Sequence, residues 1–295
     1  MREQVSQNNE LHLPNLERQP FEPRALQSII LSALTTCMAI IACIPLFSVL
    51  IMLLYRGGKR ITLEVFYALP PTAFDAGGGF GNAILGTLFM VGIASLISVP
   101  FGILAAIYLA ELAPDSRIAT IARFCAKVLS GLPSILAGVF AYAAVVLVMG
   151  SYSAWAGGVA LAILMVPTVM LTAEEAIKMV PRSMKEAAAG TGCTPAQAML
   201  KITLPVAVPA IITGVVLAVA RAAGETAPLL FTALFSDYWL RPSEPTASLA
   251  VLIYNYSGMP FPNQIELAWA ASLVLVLLVF ILNLTSRAIG RRKTV

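Results

Sequence analysis

An arginine and a glutamate four residues apart, Arg221 and Glu225, stand inside an otherwise apolar run, ARAAGETAPLLFTAL. A charge at the centre of a membrane helix costs about 2.5 to 3.5 kcal/mol, so both should face protein or water rather than lipid. On a helix, residues at i and i+4 share a face. The guanidinium offers a planar fork that matches phosphate oxygens and stays charged at any working pH. The carboxylate can hold that fork or accept a hydrogen bond from a protonated oxyanion. Two readings stand together: a structural pair in which each charge neutralises the other, or a station on the path of an anion. Just upstream, EAAAGTGCTPAQAMLKITLP from Glu186 to Pro205 sets a structured polar segment between two apolar runs.

Those residues need a frame, and composition supplies it. Of 295 residues, 59% are hydrophobic and only 12% charged, with a mean hydropathy of +0.85. A soluble domain carries roughly twice that share of charge. A bilayer core needs about 20 apolar residues per helix, and six stretches reach that length: 28–54, 82–112, 124–148, 155–173, 206–235 and 264–286. The sequence therefore predicts an all-α, polytopic membrane protein of six transmembrane helices. Residues 1–27 form a polar cytoplasmic tail without a cleavable signal, and 28–295 form the membrane domain. Arg221 lies 15 residues after Val206, roughly 22 Å along a helix at about 1.5 Å per residue, in the outer half of the core.

Fourteen of the 19 basic residues fall on one side if both termini are cytoplasmic, which sets the orientation. Arg56, Lys59 and Arg60 run against that bias. Trp155, Trp239 and Trp269 fall near the opposite, outer interface, where amphipathic rings settle. Cys37, Cys43, Cys125 and Cys193 show no metal or disulfide spacing and read as buried small hydrophobes. His12, the single histidine, lies in the tail and builds no cluster. No metal site and no catalytic group is expected. The 75–81 run DAGGGFG lacks the Lys-Ser/Thr of a phosphate-binding loop, so the chain itself does not hydrolyse ATP. Glu174 and Glu175 are expected at the inner water interface. Pro100 and Pro167 lie inside spans as kinks, hinges or packing features.

Within the 181–205 segment, Glu186 to Ala189 favour a helix that Gly190 and Gly192 end. Thr194 caps a second short helix, 196–200, with Pro195 in its first turn. Pro205 marks entry into the membrane.

The order Glu186-Ala187-Ala188, Gly192 six residues on, Ile202 ten residues later and then Leu204-Pro205 resembles the signature loop of ATP-binding-cassette importer permeases, of the type I (MetI-like) fold. Three further stretches resemble the PstA-like permeases of the phosphate-specific transport (Pst) system: RAAGETAPLLFTAL, GGGFGNAILGTLFMVGIASLISVPFGILAAIYLAEL from Gly77, and SGLPSILAGVF from Ser130. The resemblance implies a bacterial inner-membrane permease that forms half of the pathway of an ATP-driven phosphate importer. Arg221, Glu225 and Thr226 would border the anion. Glu186, Ala187, Ala188, Gly192, Ile202, Leu204 and Pro205 would dock on an ATPase dimer that binds the ATP and magnesium. A second permease subunit, PstC-like, and an extracytoplasmic phosphate-binding protein would complete the assembly. A permease for sulfate or molybdate, an intramembrane enzyme and an ATP-independent transporter remain as alternatives. The GETAPLLFT string counts against the first, and the lack of other deep polar groups counts against the second. The coupling loop counts against the third.

Overall fold

The computed structural model describes residues 23–72 and 74–292, with side chains from 26 to 285. Every described element is a helix or a helical turn. The chain divides into two units that meet between Met52 and Leu53. The described part of the first is one helix, α1 (Pro23–Met52). It opens on Pro23, whose fixed φ and missing N–H suit the first helical position. The helix thus starts five residues ahead of the expected span. The rest of the anticipated tail, His12 included, lies outside the described residues.

The second unit opens with a wide π-type turn at Leu53–Gly57 and a helical turn at Gly58–Arg60. Its first long helix, α2 (Gly81–Ile107), runs on through a wide turn to Leu112. The expected third span, 124–148, is where the structure departs most from the sequence reading. It is built from α3 (Arg117–Gly131) and α4 (Ser134–Ala141), bent by 105° at a short break. Pro133 causes the break: it has no N–H to offer a helix, and it forces Leu132 into an extended conformation (φ −71°, ψ 144°). Among the described residues five helices are long and apolar enough to cross a membrane, and the bent pair makes a sixth if it counts as one span.

At the centre of the unit is α5 (Ala154–Lys178), capped at its start by the Ser153 hydroxyl. Its glycines let neighbours come close. A Cβ on Gly158 would lie 2.7 Å from Ile93, and one on Gly102 of α2 would lie 2.7 Å from Val169. Rising residue numbers pair with rising ones, so α2 and α5 run parallel. Small residues at contacts are how membrane helices approach when hydrophobic burial cannot drive them together.

After α5 come α6 (Arg182–Gly190), α7 (Pro195–Ala198) and α8 (Leu204–Ala223). Between α7 and α8 a wide turn at Met199–Thr203 precedes Pro205, and such a turn relieves the clash a proline makes with the preceding turn. In α8, Gly214 meets Thr172, while Ala218 and Ala222 cluster with Met165. The two helices are therefore antiparallel, and the 181–205 segment and the Arg221 end of α8 lie at opposite ends of the unit.

The fifth span was expected to reach Phe235, but α8 stops at Ala223. Gly224 ends it, and the apolar residues beyond serve packing, not crossing. They form α9 (Ala227–Leu230) and a loop over 231–248. That loop accepts the free N–H groups of Ser153 and Ala154 on the carbonyls of Thr232 (3.0 Å) and Pro242 (3.1 Å). Asn82 Nδ2 pins it by donating to the Ser236 carbonyl at 2.8 Å. The short α10 (Leu249–Ser257) follows, its Leu249 N–H donating to Thr87 Oγ1 at 2.9 Å. The long α11 (Pro262–Arg292) closes the described chain.

The cysteines differ from expectation. Cys37, Cys43 and Cys125 are exposed and Cys193 is half-buried; in a bilayer an apolar thiol can face lipid and needs no core.

Packing at the glycines yields a paired expectation. Gly158→Leu overfills the contact with Ile93 and destabilises the assembled protein by about 1–3 kcal/mol or more, read as a lower melting temperature in detergent. Gly92→Ala, where nothing lies within 4 Å of the added Cβ, leaves it unchanged.

Candidate functional site

Two arginines in this unit have opposite fates. Arg123, on α3, spends all three nitrogens of its guanidinium. Nε donates to Glu174 Oε1 at 2.7 Å, Nη1 to the Pro114 carbonyl at 2.9 Å and Nη2 to the Leu109 carbonyl at 2.7 Å. Glu174, one turn from the end of α5, also takes Lys178 Nζ at 2.5 Å. One side chain thus ties α3, α5 and the end of α2 together. Glu174 was expected at water with Glu175. Glu175 is exposed, but the Glu174 side chain is only 5% exposed. Its burial is tolerable because two cations meet it. The i,i+4 spacing of Glu174 and Lys178 was the signal in the sequence that could have revealed the cluster.

Arg221 is the other case. It sits in the last turn of α8, where a cation suits the negative end of the helix dipole. Its Nε lies 3.6 Å from Glu225 Oε1, an ion pair too long for a hydrogen bond, with the side chains 58% and 16% exposed. Among the described residues no acceptor takes a hydrogen bond from the Arg221 guanidinium. Its fork is therefore open. The Thr226 hydroxyl next to it is likewise without a hydrogen bond among the described residues, while the Thr226 carbonyl accepts the N–H groups of Leu229 (3.1 Å) and Leu230 (3.2 Å). Thr213, Leu217 and Arg221 form an exposed stripe along α8, opposite the buried one of Ile211, Gly214, Ala218 and Ala222.

The turn bearing Glu225 and Thr226 is fixed from below. A Cβ on Gly138 of α4 would lie 2.6 Å from the Pro228 Cα, so two of the stretches singled out in the sequence, SGLPSILAGVF and GETAPLLFT, pack directly. Beyond it, burial raises the Asp237 carboxyl, and burial with the Asp237 charge pushes the Tyr256 hydroxyl up to about 12. Tyr256 therefore remains a neutral hydroxyl at any working pH.

At the far end, the 181–205 segment has the expected helix, turn and second helix. The turn closes as a Schellman motif: Cys193 N–H donates to the Ala188 carbonyl at 3.1 Å and Gly192 N–H to the Ala189 carbonyl at 3.0 Å. Gly192 takes φ +82°, which only glycine adopts without strain. Gly190, expected as a breaker, is the last helical residue. Thr194 and Gln197 form a reciprocal capping box. Ala188 is buried, and Leu204 packs on the cluster of Ile177, Val180, Met199 and Ile211. Ile202 is half-buried, whereas Pro205 is exposed at the start of α8. Glu186 and Ala187 are exposed too, and nothing in the chain's own packing requires them. Lys185 pairs with Glu111 at the end of α2, which docks α6 on the bundle. Five of the seven signature residues thus divide. Ala188, Gly192 and Leu204 serve the segment's own fold, and Glu186 and Ala187 are free to meet a partner.

No group of three or more His, Cys, Asp or Glu side chains is placed to hold a metal among the described residues.

Residues 98–295 match the family model described as binding-protein-dependent transport system inner membrane component. A phosphate transport system permease protein PstA from Yersinia pestis is 42% identical over 81% of this chain and 81% of its own length. The chain belongs to this permease family, on its PstA branch. Solved structures agree on the fold. A chain of a bacterial alginate ABC transporter superposes with a TM-score of 0.66, covering 94% of this chain and 99% of that one at 17% identity. A chain of the MetNI methionine ABC transporter gives 0.60 over 72% of this chain and 95% of that one, at 21% identity. At such identities the likeness is one of fold. Membership makes the PstA-type chain an integral inner-membrane transport component, not an enzyme, that works with a separate ATPase and a substrate-binding protein.

The two arginines predict opposite behaviour. Glu174→Ala strands Arg123 in a partly buried site and costs about 3–5 kcal/mol, visible as a large drop in melting temperature of the purified complex. Arg221→Gln removes a charge that holds nothing else in place and leaves that temperature within a degree or two of wild type.

Proposed function

We propose that this chain is one of two permease subunits of an ATP-driven importer of inorganic phosphate, and that Arg221, Glu225 and Thr226 border the path of the anion. The observation that carries this reading is the open guanidinium fork of Arg221, unclaimed by any acceptor among the described residues. Had the pair been purely structural, a direct hydrogen bond and mutual burial would be expected, as at Arg123 and Glu174. A planar fork with two free edges suits a tetrahedral oxyanion. Glu225 can orient the fork and can accept a hydrogen bond from a protonated phosphate oxygen. The Yersinia pestis relative is a phosphate permease, which supports phosphate over sulfate or molybdate.

The exposed stripe of α8 faces the second, PstC-like permease, and the pathway runs between them. Glu186 and Ala187, with the exposed faces of α6 and α7, dock on the ATPase dimer, which binds the ATP and magnesium. This sets the 181–205 segment and both termini in the cytoplasm, with Arg221 toward the outside. A phosphate-binding protein delivers the anion there. ATP binding closes the ATPase dimer, the 181–205 segments follow, and the permeases open outward to receive phosphate.

The test is ATP-driven uptake of labelled phosphate into vesicles holding the whole assembly, wild type against Arg221→Gln, with assembly checked in both. Wild-type uptake that excess sulfate leaves intact, reduced roughly tenfold or more in an assembled Arg221→Gln complex, is the expected result; one charge-assisted hydrogen bond is worth about 1.5–3 kcal/mol. Unimpaired uptake in the variant makes the pair structural. An assembled wild type that moves sulfate and not phosphate overturns the substrate.

A further inference from the structure

Arg56, Lys59 and Arg60 account for three of the four basic residues on the side that the charge bias leaves poor, and the anion path at Arg221 makes no use of them. They line a cavity of about 290 Å³ together with Tyr55, Glu266 and Trp269, near the lower end of the ~300–1,000 Å³ range of ligand pockets. The cations are held apart and aimed. Arg56 lies over the Trp269 ring, 5.4 Å from its centroid, and Lys59 Nζ lies 4.0 Å from that of Tyr55. Arg60 donates to the Gly77 carbonyl at 2.6 Å and to Asn263 Oδ1 at 3.3 Å. Among the described residues no carboxylate comes within 4 Å of any of the three. Glu266 shares the cavity but does not pair with them.

The cavity's depth in the bilayer follows from the fold. Gly57 packs on the Trp269 carbonyl at the start of α11, and Val65, Phe80 and Ala83 cluster with Leu267 and Ala271. It therefore belongs to the end of the unit where α2 begins, opposite the 181–205 segment. Tryptophan and tyrosine beside arginine and lysine at a helix end mark headgroup depth. Beyond Leu273, which is buried against Gly57, an apolar stripe of exposed side chains, Val276, Leu277, Phe280 and Ile281, continues along α11.

We propose that this cavity binds the headgroup of an anionic glycerophospholipid of the phosphatidylglycerol type. The phosphodiester sits among Arg56, Lys59 and Arg60, the headgroup hydroxyls donate to the unpaired Glu266 carboxylate, and an acyl chain follows the α11 stripe. A phosphate ester with hydroxyl donors answers both signs of charge in the cavity. A choline headgroup offers no hydrogen-bond donor to Glu266 and no net negative charge to the cations. The stripe is what selects a lipid over free phosphate, which has no use for it.

The experiment is native mass spectrometry of the delipidated whole transporter complex in detergent, titrated with phosphatidylglycerol, phosphatidylcholine or inorganic phosphate. Wild type is compared with Arg56→Gln/Lys59→Gln, both exposed positions, and with Lys59→Gln alone in case the double variant loses stability. Expected are one tightly held phosphatidylglycerol per copy of this chain, weaker binding of phosphatidylcholine, and roughly a ten- to thirtyfold loss of phosphatidylglycerol affinity in the double variant. Equal binding of the two lipids, or affinity unchanged in both variants, overturns the proposal. Displacement of the lipid by millimolar inorganic phosphate overturns it in favour of an anion site. The readout is binding, so it stands apart from whether the complex transports phosphate.

Discussion

A charge placed within an apolar slab must find a partner, water or a ligand, and the unit is organised around how its charges meet that demand. At the end near the 181–205 segment the demand is met internally. Arg123 spends every nitrogen, Glu174 takes two cations, and Lys185 meets Glu111. The three helices converging there behave as one body, because shifting any of them strands a buried charge at a cost of several kcal/mol. At the opposite end the demand is left open at Arg221. The same chemistry therefore makes one end a clamp and leaves a guanidinium open at the other.

Close packing lets so few charges suffice. Lipid tails are as apolar as the side chains, so burial alone does not hold these helices together, and contact must come from shape. Gly102, Gly158 and Gly214 let α2 and α8 approach α5 until a methyl group would clash. Polar groups then lock the ends. Thr87 joins α2 to α10, Asn82 joins α2 to the 231–248 loop, and that loop's carbonyls take the first N–H groups of α5. The turn bearing Glu225 and Thr226 is tied to this framework where Gly138 meets Pro228.

Much of this was legible in the sequence, and the parts that were not share a cause. Long apolar runs reveal membrane helices because the bilayer fixes their length, and glycine at 192 with Thr194-Pro195 reveals a turn because only certain residues tolerate those angles. Hydropathy does not distinguish a residue that faces lipid from one that packs beneath a loop, so the run through Phe235 read as helix although α8 stops at Ala223. It also ignores direction: Leu132-Pro133 turns the chain by 105° within an unbroken apolar stretch. Glu174 read as a water-facing acid because its partner Arg123 is 51 residues away. Pairing across such a distance is a property of the fold, not of local pattern.

The layout also constrains how the two ends can communicate. Helical backbone runs from Pro195 to Ala223, through Pro209 inside α8, so α7 and α8 join the 181–205 segment to Arg221 by continuous helix. The wide turn at Met199–Thr203 absorbs Pro205 without a break. A helix about 43 Å long at about 1.5 Å per residue that pivots where Gly214 meets Thr172 moves its two ends in opposite directions. A push on α7 then carries Arg221 across the face that a second subunit would cover. The Arg123 contacts tie α3, α5 and the end of α2 together, so such a motion in the proposed cycle would be a relative displacement rather than drift of the whole unit. In the proposed cycle an open fork at the end of such a lever would change its surroundings with each stroke, which is the property the proposed anion path asks of Arg221.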